Sequence, residues 1–175
     1  MPASDRKTMR VYVPATVSML RDLVDKRELH AVGGTAFALT PALREAYASG
    51  DDEELSEVAM AEAARASLRL LADEAHSSTA PMYRRAVIAV DVTGATLRPD
   101  LDDAVVKLDG PIEYTRVGSV HMDLAEAESA VAKATDIVDA ADLGDEDAEF
   151  VLGDAEDHQL AWYATQELPF LLDLL

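Results

Sequence analysis

The chain has 175 residues, no cysteine and a formal net charge of −19. That length suits one domain with a proper core, and the absence of thiols excludes both a disulfide framework and a thiolate metal site. Residues 1 to 88 carry 11 Lys and Arg against 13 Asp and Glu, net −2, whereas residues 89 to 175 carry 4 against 21, net −17, with no Lys or Arg after Lys133. So acidic a half repels nucleic-acid phosphate and anionic lipid and attracts cations or a basic protein surface. The 31 alanines and the excess of Arg over Lys also suit a GC-rich genome or a salt-adapted cytoplasm. General salt adaptation, however, would spread acid over both halves. No run reaches the roughly 18 uncharged apolar residues of a membrane span, and the first ten residues lack the apolar stretch of a secretory leader, so the expected location is cytoplasmic.

Residues 1 to 9 read as a disordered leader, and residues 10 to 175 as the single domain. Arg10 to Ala15 is a short strand ended by Pro14, after which Thr16 caps a helix with Val17, Leu20, Leu23 and Val24 at helical spacing. His30 stands where that helix ends, a position that suits a cation or donor. Gly33-Gly34 turns the chain into a strand at Thr35 to Leu39, and Thr40-Pro41 is an N-cap followed by proline at the first helical position. The helix it opens stops at Ser49-Gly50. Asp51 to Glu54 puts acid at the N-terminus of the longest helical pattern, which runs to about His76.

Ala86 to Val92 is the most strand-like segment, an uncharged run through Val90 that suits a strand covered on both faces. Two extended pieces follow, Ala104 to Leu108 and Ile112 to Met122, separated by the turn Asp109-Gly110-Pro111. Asp123 then has the place of an N-cap, with Glu126 three residues on as in a capping box, and Ala127, Ala130, Val131, Ala134, Ile137, Val138 and Ala141 give the next helix its apolar stripe. Asp142 to Glu149 reads as an acidic loop and Phe150 to Leu152 as a short strand. Asp154 caps a last helix through Leu168, which carries Trp162 and Tyr163 and is broken by Pro169.

Two pairs of residues offer chemistry. His121 and Asp123 are two apart, on one face if the strand persists, and Asp154 and His158 are four apart on one helical face. Two His and two Asp could ligate a divalent cation. Nucleophilic catalysis has less to stand on, because there is no Gly-x-Ser-x-Gly elbow. The acidic loop lacks the spacing of an EF-hand.

Three segments together, Arg10 to Thr16, Gly34 to Tyr47, and Glu156-Asp157-His158 with Trp162-Tyr163 and Gln166 to Leu168, resemble a family of uncharacterised actinobacterial proteins. The resemblance spans nearly the whole chain and implies a bacterial cytoplasmic protein with no assigned catalytic residue.

The expected fold is one α+β or α/β domain, a mixed sheet centred on Ala86 to Val92 and covered by helices at about 16 to 29, 41 to 76 and 124 to 141, with strand-helix units at both ends of the chain. The expected function is a non-catalytic interaction or regulatory module without cofactor. It binds a basic protein surface through Asp145, Glu146, Asp147, Glu156, Asp157, Trp162 and Tyr163, and neither nucleic acid nor membrane directly. The alternative is a metal-dependent hydrolase with His121, Asp123, Asp154 and His158 as ligands. Mimicry of nucleic acid has only charge in its favour.

Overall fold

A computed structural model describes residues 7–77 and 79–175. Its elements, in chain order, are β1 (Met9–Ala15), α1 (Val17–Lys26), β2 (Glu28–Leu29), β3 (Thr35–Phe37), α2 (Pro41–Ala46), α3 (Asp52–Ala75), β4 (Ala86–Val92), β5 (Thr96–Leu97), β6 (Val105–Lys107), β7 (Ile112–Glu113), β8 (Val117–Met122), α4 (Glu128–Asp142), α5 (Glu146–Glu156), β9 (Ala161–Ala164) and α6 (Leu168–Asp173). The expected leader falls outside the described residues as far as residue 6, and Met9 already belongs to β1.

Seven strands form one sheet in the order β5-β6-β3-β1-β4-β8-β9, and β2 pairs with β7 in a separate ribbon. The α+β class stands. Every pairing is antiparallel, where the sequence suggested a mixed sheet. The uncharged run in β4 marks burial on both faces, and helices can supply that to an antiparallel strand as well as to a parallel one. Nor does α1 lead into a parallel neighbour: Arg27 ends it in the left-handed conformation (φ 63°), and the chain passes straight into β2.

One face of the sheet carries Val11, Val13, Ile88, Val90, Val120 and Met122 and is covered by α1 and α6 through Leu20, Leu23, Leu168 and Leu172. The other carries Phe37, Val87 and Val105 under Ala59, Ala63 and Ala64 of α3. The back of α3 uses Leu68, Leu71 and Ala72 to hold α4 and α5 as an outer layer. Small or apolar surfaces on both sides of one helix explain why α3 shows no single stripe. Among the described residues no helix is long and apolar enough to cross a membrane.

Local chemistry fixes the helix starts. Thr16, Thr40 and Asp51 each accept a hydrogen bond from the backbone N–H three residues on, which satisfies a donor the helix leaves free. Thr16 also donates to Glu74 at 2.6 Å, fastening α1 to the end of α3. Ser67, in the middle of α3, donates to the Ala15 carbonyl at 2.7 Å and accepts from the Ala86 N–H at 3.1 Å, closing the end of the β1–β4 ladder.

The second half departs further from expectation. Asp154 does not open a helix; it lies inside α5, whose N-cap is Asp145, accepting from the Ala148 N–H at 3.0 Å. Glu146, Asp147 and Glu149 occupy the first turn of that helix, where the macrodipole favours acid. Most of the expected acidic loop is therefore helix, and Phe150 to Leu152 belongs to α5 instead of forming a strand. Trp162 and Tyr163 belong to the edge strand β9, opposite His121 and Val120, as suits aromatic residues on a pleated surface.

Candidate functional site

Arg85 and Asp123 stand just outside β4 and β8, at the end of the sheet where Ala86 pairs with Met122. The Asp123 N–H donates to the Arg85 carbonyl at 3.1 Å. In return the Arg85 N–H and Nε both donate to Asp123 Oδ2 at 2.8 Å, and Nη2 donates to Oδ1 at 2.7 Å. This two-pronged fork matches guanidinium to carboxylate in the geometry that makes such pairs strong. Asp123 is 0 % exposed and Arg85 3 %. Asp123 is therefore no helix N-cap: the helical turn after it begins at Leu124 without a side-chain cap. The fork wins because a buried arginine without a carboxylate would cost far more than an uncapped turn. Arg85 Nη2 also donates to the His158 carbonyl at 2.7 Å, which draws the segment between α5 and β9 against the sheet end.

Beside this anchor, α3 and residues 156–160 enclose a cleft of about 680 Å³. Met60, Ala64, Leu68 and Leu160 make its apolar surface, and Glu57, Glu62, Arg65, Glu156 and His158 its polar rim, with Arg85 between. Arg65 is engaged: Nε donates to Asp142 at 3.1 Å, Nη2 to Glu149 at 3.0 Å, and Nη1 lies 4.0 Å from Glu156. Arg69, one turn on, forks onto the same Asp142 at 2.7 and 2.9 Å. That bond from Arg69, helped by Arg65, holds the Asp142 carboxyl below the usual carboxylate range. Glu62 is pushed the other way. Burial raises it most, Asp102 and Glu156 add to this, and Arg69 and Arg65 oppose it. No hydrogen bond or ion pair from another described residue reaches the side chain of Glu62 or Glu57.

The remaining expected ligands are dispersed. His121 Nε2 lies 3.0 Å from Ser119 Oγ on the face shared with Val87, and burial, then the charge of Arg10, lowers its pKa. Asp154 and His158 both line a cavity of about 220 Å³, together with Glu126 and Lys133, between α4 and α5. Among the described residues no group of three or more His, Cys, Asp or Glu could hold a metal ion. The expected partner-binding residues also divide. Asp145 caps α5, Glu146 and Asp147 project from its first turn, Asp157 follows its end, Glu156 lines the cleft, Trp162 is 61 % exposed and Tyr163 packs against the core.

The model of a family of unknown function, DUF6912, matches residues 9–172, from the first strand to the last helix. The chain belongs to that family. Arg85, Asp123 and the whole cleft lie inside the matched region, and DUF6912 brings no activity with it. No curated protein and no solved structure matches the chain.

The sequence alone does not single out Glu62, Arg65, Arg69 and Arg85. The first three recur at spacings of three and four on α3, a polar row across an otherwise small and apolar helix, and that row was the available signal. Arg85 sits beside Arg84 at the mouth of β4, and nothing local distinguishes the buried arginine from its neighbour, which pairs with Glu128 at 2.8 Å.

Proposed function

We propose that this chain is a non-catalytic, cytoplasmic interaction module that binds a protein with a basic surface through its acidic second half. One observation carries the reading: Trp162 is 61 % exposed on a strand that forms an edge of the sheet. Tryptophan is among the side chains most enriched where proteins bind one another, and a sheet edge offers backbone donors and acceptors to an added strand. The acid of α5 precedes this edge in the chain, and Glu167 follows it. That charge would steer a basic partner and would disfavour direct contact with nucleic acid.

The test is capture from native lysate with wild-type protein, with Trp162→Ser, and with a variant neutralised at Glu146, Asp147, Glu156 and Asp157. A partner held by wild type, released by added salt and lost from both variants is the expected result. A partner that both variants retain would remove the support for this surface.

A further inference from the structure

The cleft between α3 and residues 156–160 has the volume of a small-molecule site, which is typically about 300–1,000 Å³. Its electrostatics choose among ligands. Both arginines that line it are already matched, Arg65 by Asp142 and Glu149, and Arg85 by Asp123 and the His158 carbonyl. An anion entering the cleft would have to compete with carboxylates of the chain itself and would meet Glu57, Glu62 and Glu156 on the rim. A neutral apolar molecule could cover Met60 and Leu160 but would leave the Glu62 carboxylate without a donor and further from water, which is costly. A cation on a hydrocarbon stem satisfies both parts: its charge answers Glu62, and its methylenes cover the apolar surface.

We propose that this cleft binds a small aliphatic amine, with the ammonium donating to Glu62 and the hydrocarbon lying on Met60, Ala64 and Leu160. The inference does not depend on a protein partner at Trp162. It needs no change of structure, because the cleft is already open.

The experiment is a titration of the full chain by calorimetry, with backbone NMR shifts to locate the site, using 1-aminohexane, 1-aminobutane, 1-hexanol, hexanoate and Nα-acetyl-lysine amide as probes. Binding of 1-aminohexane about tenfold tighter than 1-hexanol is expected, the worth of one charge-assisted hydrogen bond, with hexanoate weaker still. Each added methylene from 1-aminobutane onward should tighten binding up to about fourfold. Glu62→Gln should abolish the preference for amine over alcohol without lowering the melting temperature at neutral pH. Equal binding of amine and alcohol, an unchanged Glu62→Gln variant, or shifts confined to residues away from α3 and 156–160 would each overturn the proposal. Tighter binding of the lysine amide than of 1-aminohexane would do so as well, because the occupant would then be a side chain of another protein. Failure of amine binding leaves capture through Trp162 untouched, so the two readings fail separately.

Discussion

Two arginine–carboxylate centres hold the α5 region to the body of the molecule, and they differ chiefly in water. At the sheet end, Arg85 and Asp123 form a closed fork with almost no exposure, and Arg85 carries the His158 carbonyl with it. On the outer layer, Arg65 and Arg69 share Asp142 and Arg65 also reaches Glu149, with side chains between 23 and 46 % exposed. The bond lengths are similar, so geometry alone does not rank the two. Burial does: the dry pair has no substitute for its partner, whereas water can take the place of either partner in the wet one.

The largest effect separating the centres should come from Asp123→Ala, which leaves a guanidinium buried without its carboxylate. A loss of about 3–5 kcal/mol is expected in urea unfolding, with little dependence on salt. Replacing both partners, Arg85→Met with Asp123→Leu, should recover much of that loss, since the penalty lies in the unpaired charge. If the double variant were as unstable as the single one, the fork would matter for its shape and its hold on His158 more than for its charge. Asp142→Asn should cost about 1 kcal/mol or less, and the cost should shrink further in high salt.

The acid limb of the stability curve sharpens the same contrast. Asp142 titrates below the usual carboxylate range when folded, so the stability it contributes is present above that range and is lost as pH falls through its depressed value. Asp91, held down by its fork with Arg10, behaves alike. Glu62 runs in the opposite sense, because its raised folded pKa relieves a penalty as pH falls. Asp142→Asn should therefore flatten the acid limb and Glu62→Gln should steepen it, which a series of melts between pH 3 and 7 would show. The smallest effect belongs to His121. Its depressed pKa means that the fold prefers the neutral ring, with stability complete above the ordinary histidine range and declining as pH drops below it. His121→Gln should remove that shallow slope.

Local signals in the chain carried most of the fold. The β4 run, the Thr16 cap and the Thr40-Pro41 start each depend on residues within a few positions of one another, and each stands in the structure where its pattern puts it. Pattern and structure part where one residue type serves two local roles. Acid from Asp145 to Glu149 fits a solvated loop and a helix N-terminus equally well, and only the Ala148 N–H bond to Asp145 decides between them. Trp162 and Tyr163 fit a helical stripe or a strand. The alternation of an exposed Trp162 with an inward Tyr163 is the strand pattern, too short at four residues to outweigh a continuing helix. The candidate cleft was beyond reach for another reason. Asp123 looked like a cap because its partner, Arg85, lies 38 residues away, and no spacing rule joins them.

The pairing of β1 shapes how the chain is made as well as how it stands. Seven register positions, Met9↔Val92 to Ala15↔Ala86, join β1 to β4, while β3 meets it at the single pair Tyr12↔Phe37. On the ribosome, β1 emerges with only that minor contact on offer and waits for α3 and then β4 to follow. At a synthesis rate of about 5–20 residues per second, the wait lasts on the order of ten seconds. Throughout it the edge of β1 that β4 will cover stays open, with Val11 and Val13 beside it, so this first strand is the segment of the nascent chain that a chaperone would find longest unpaired.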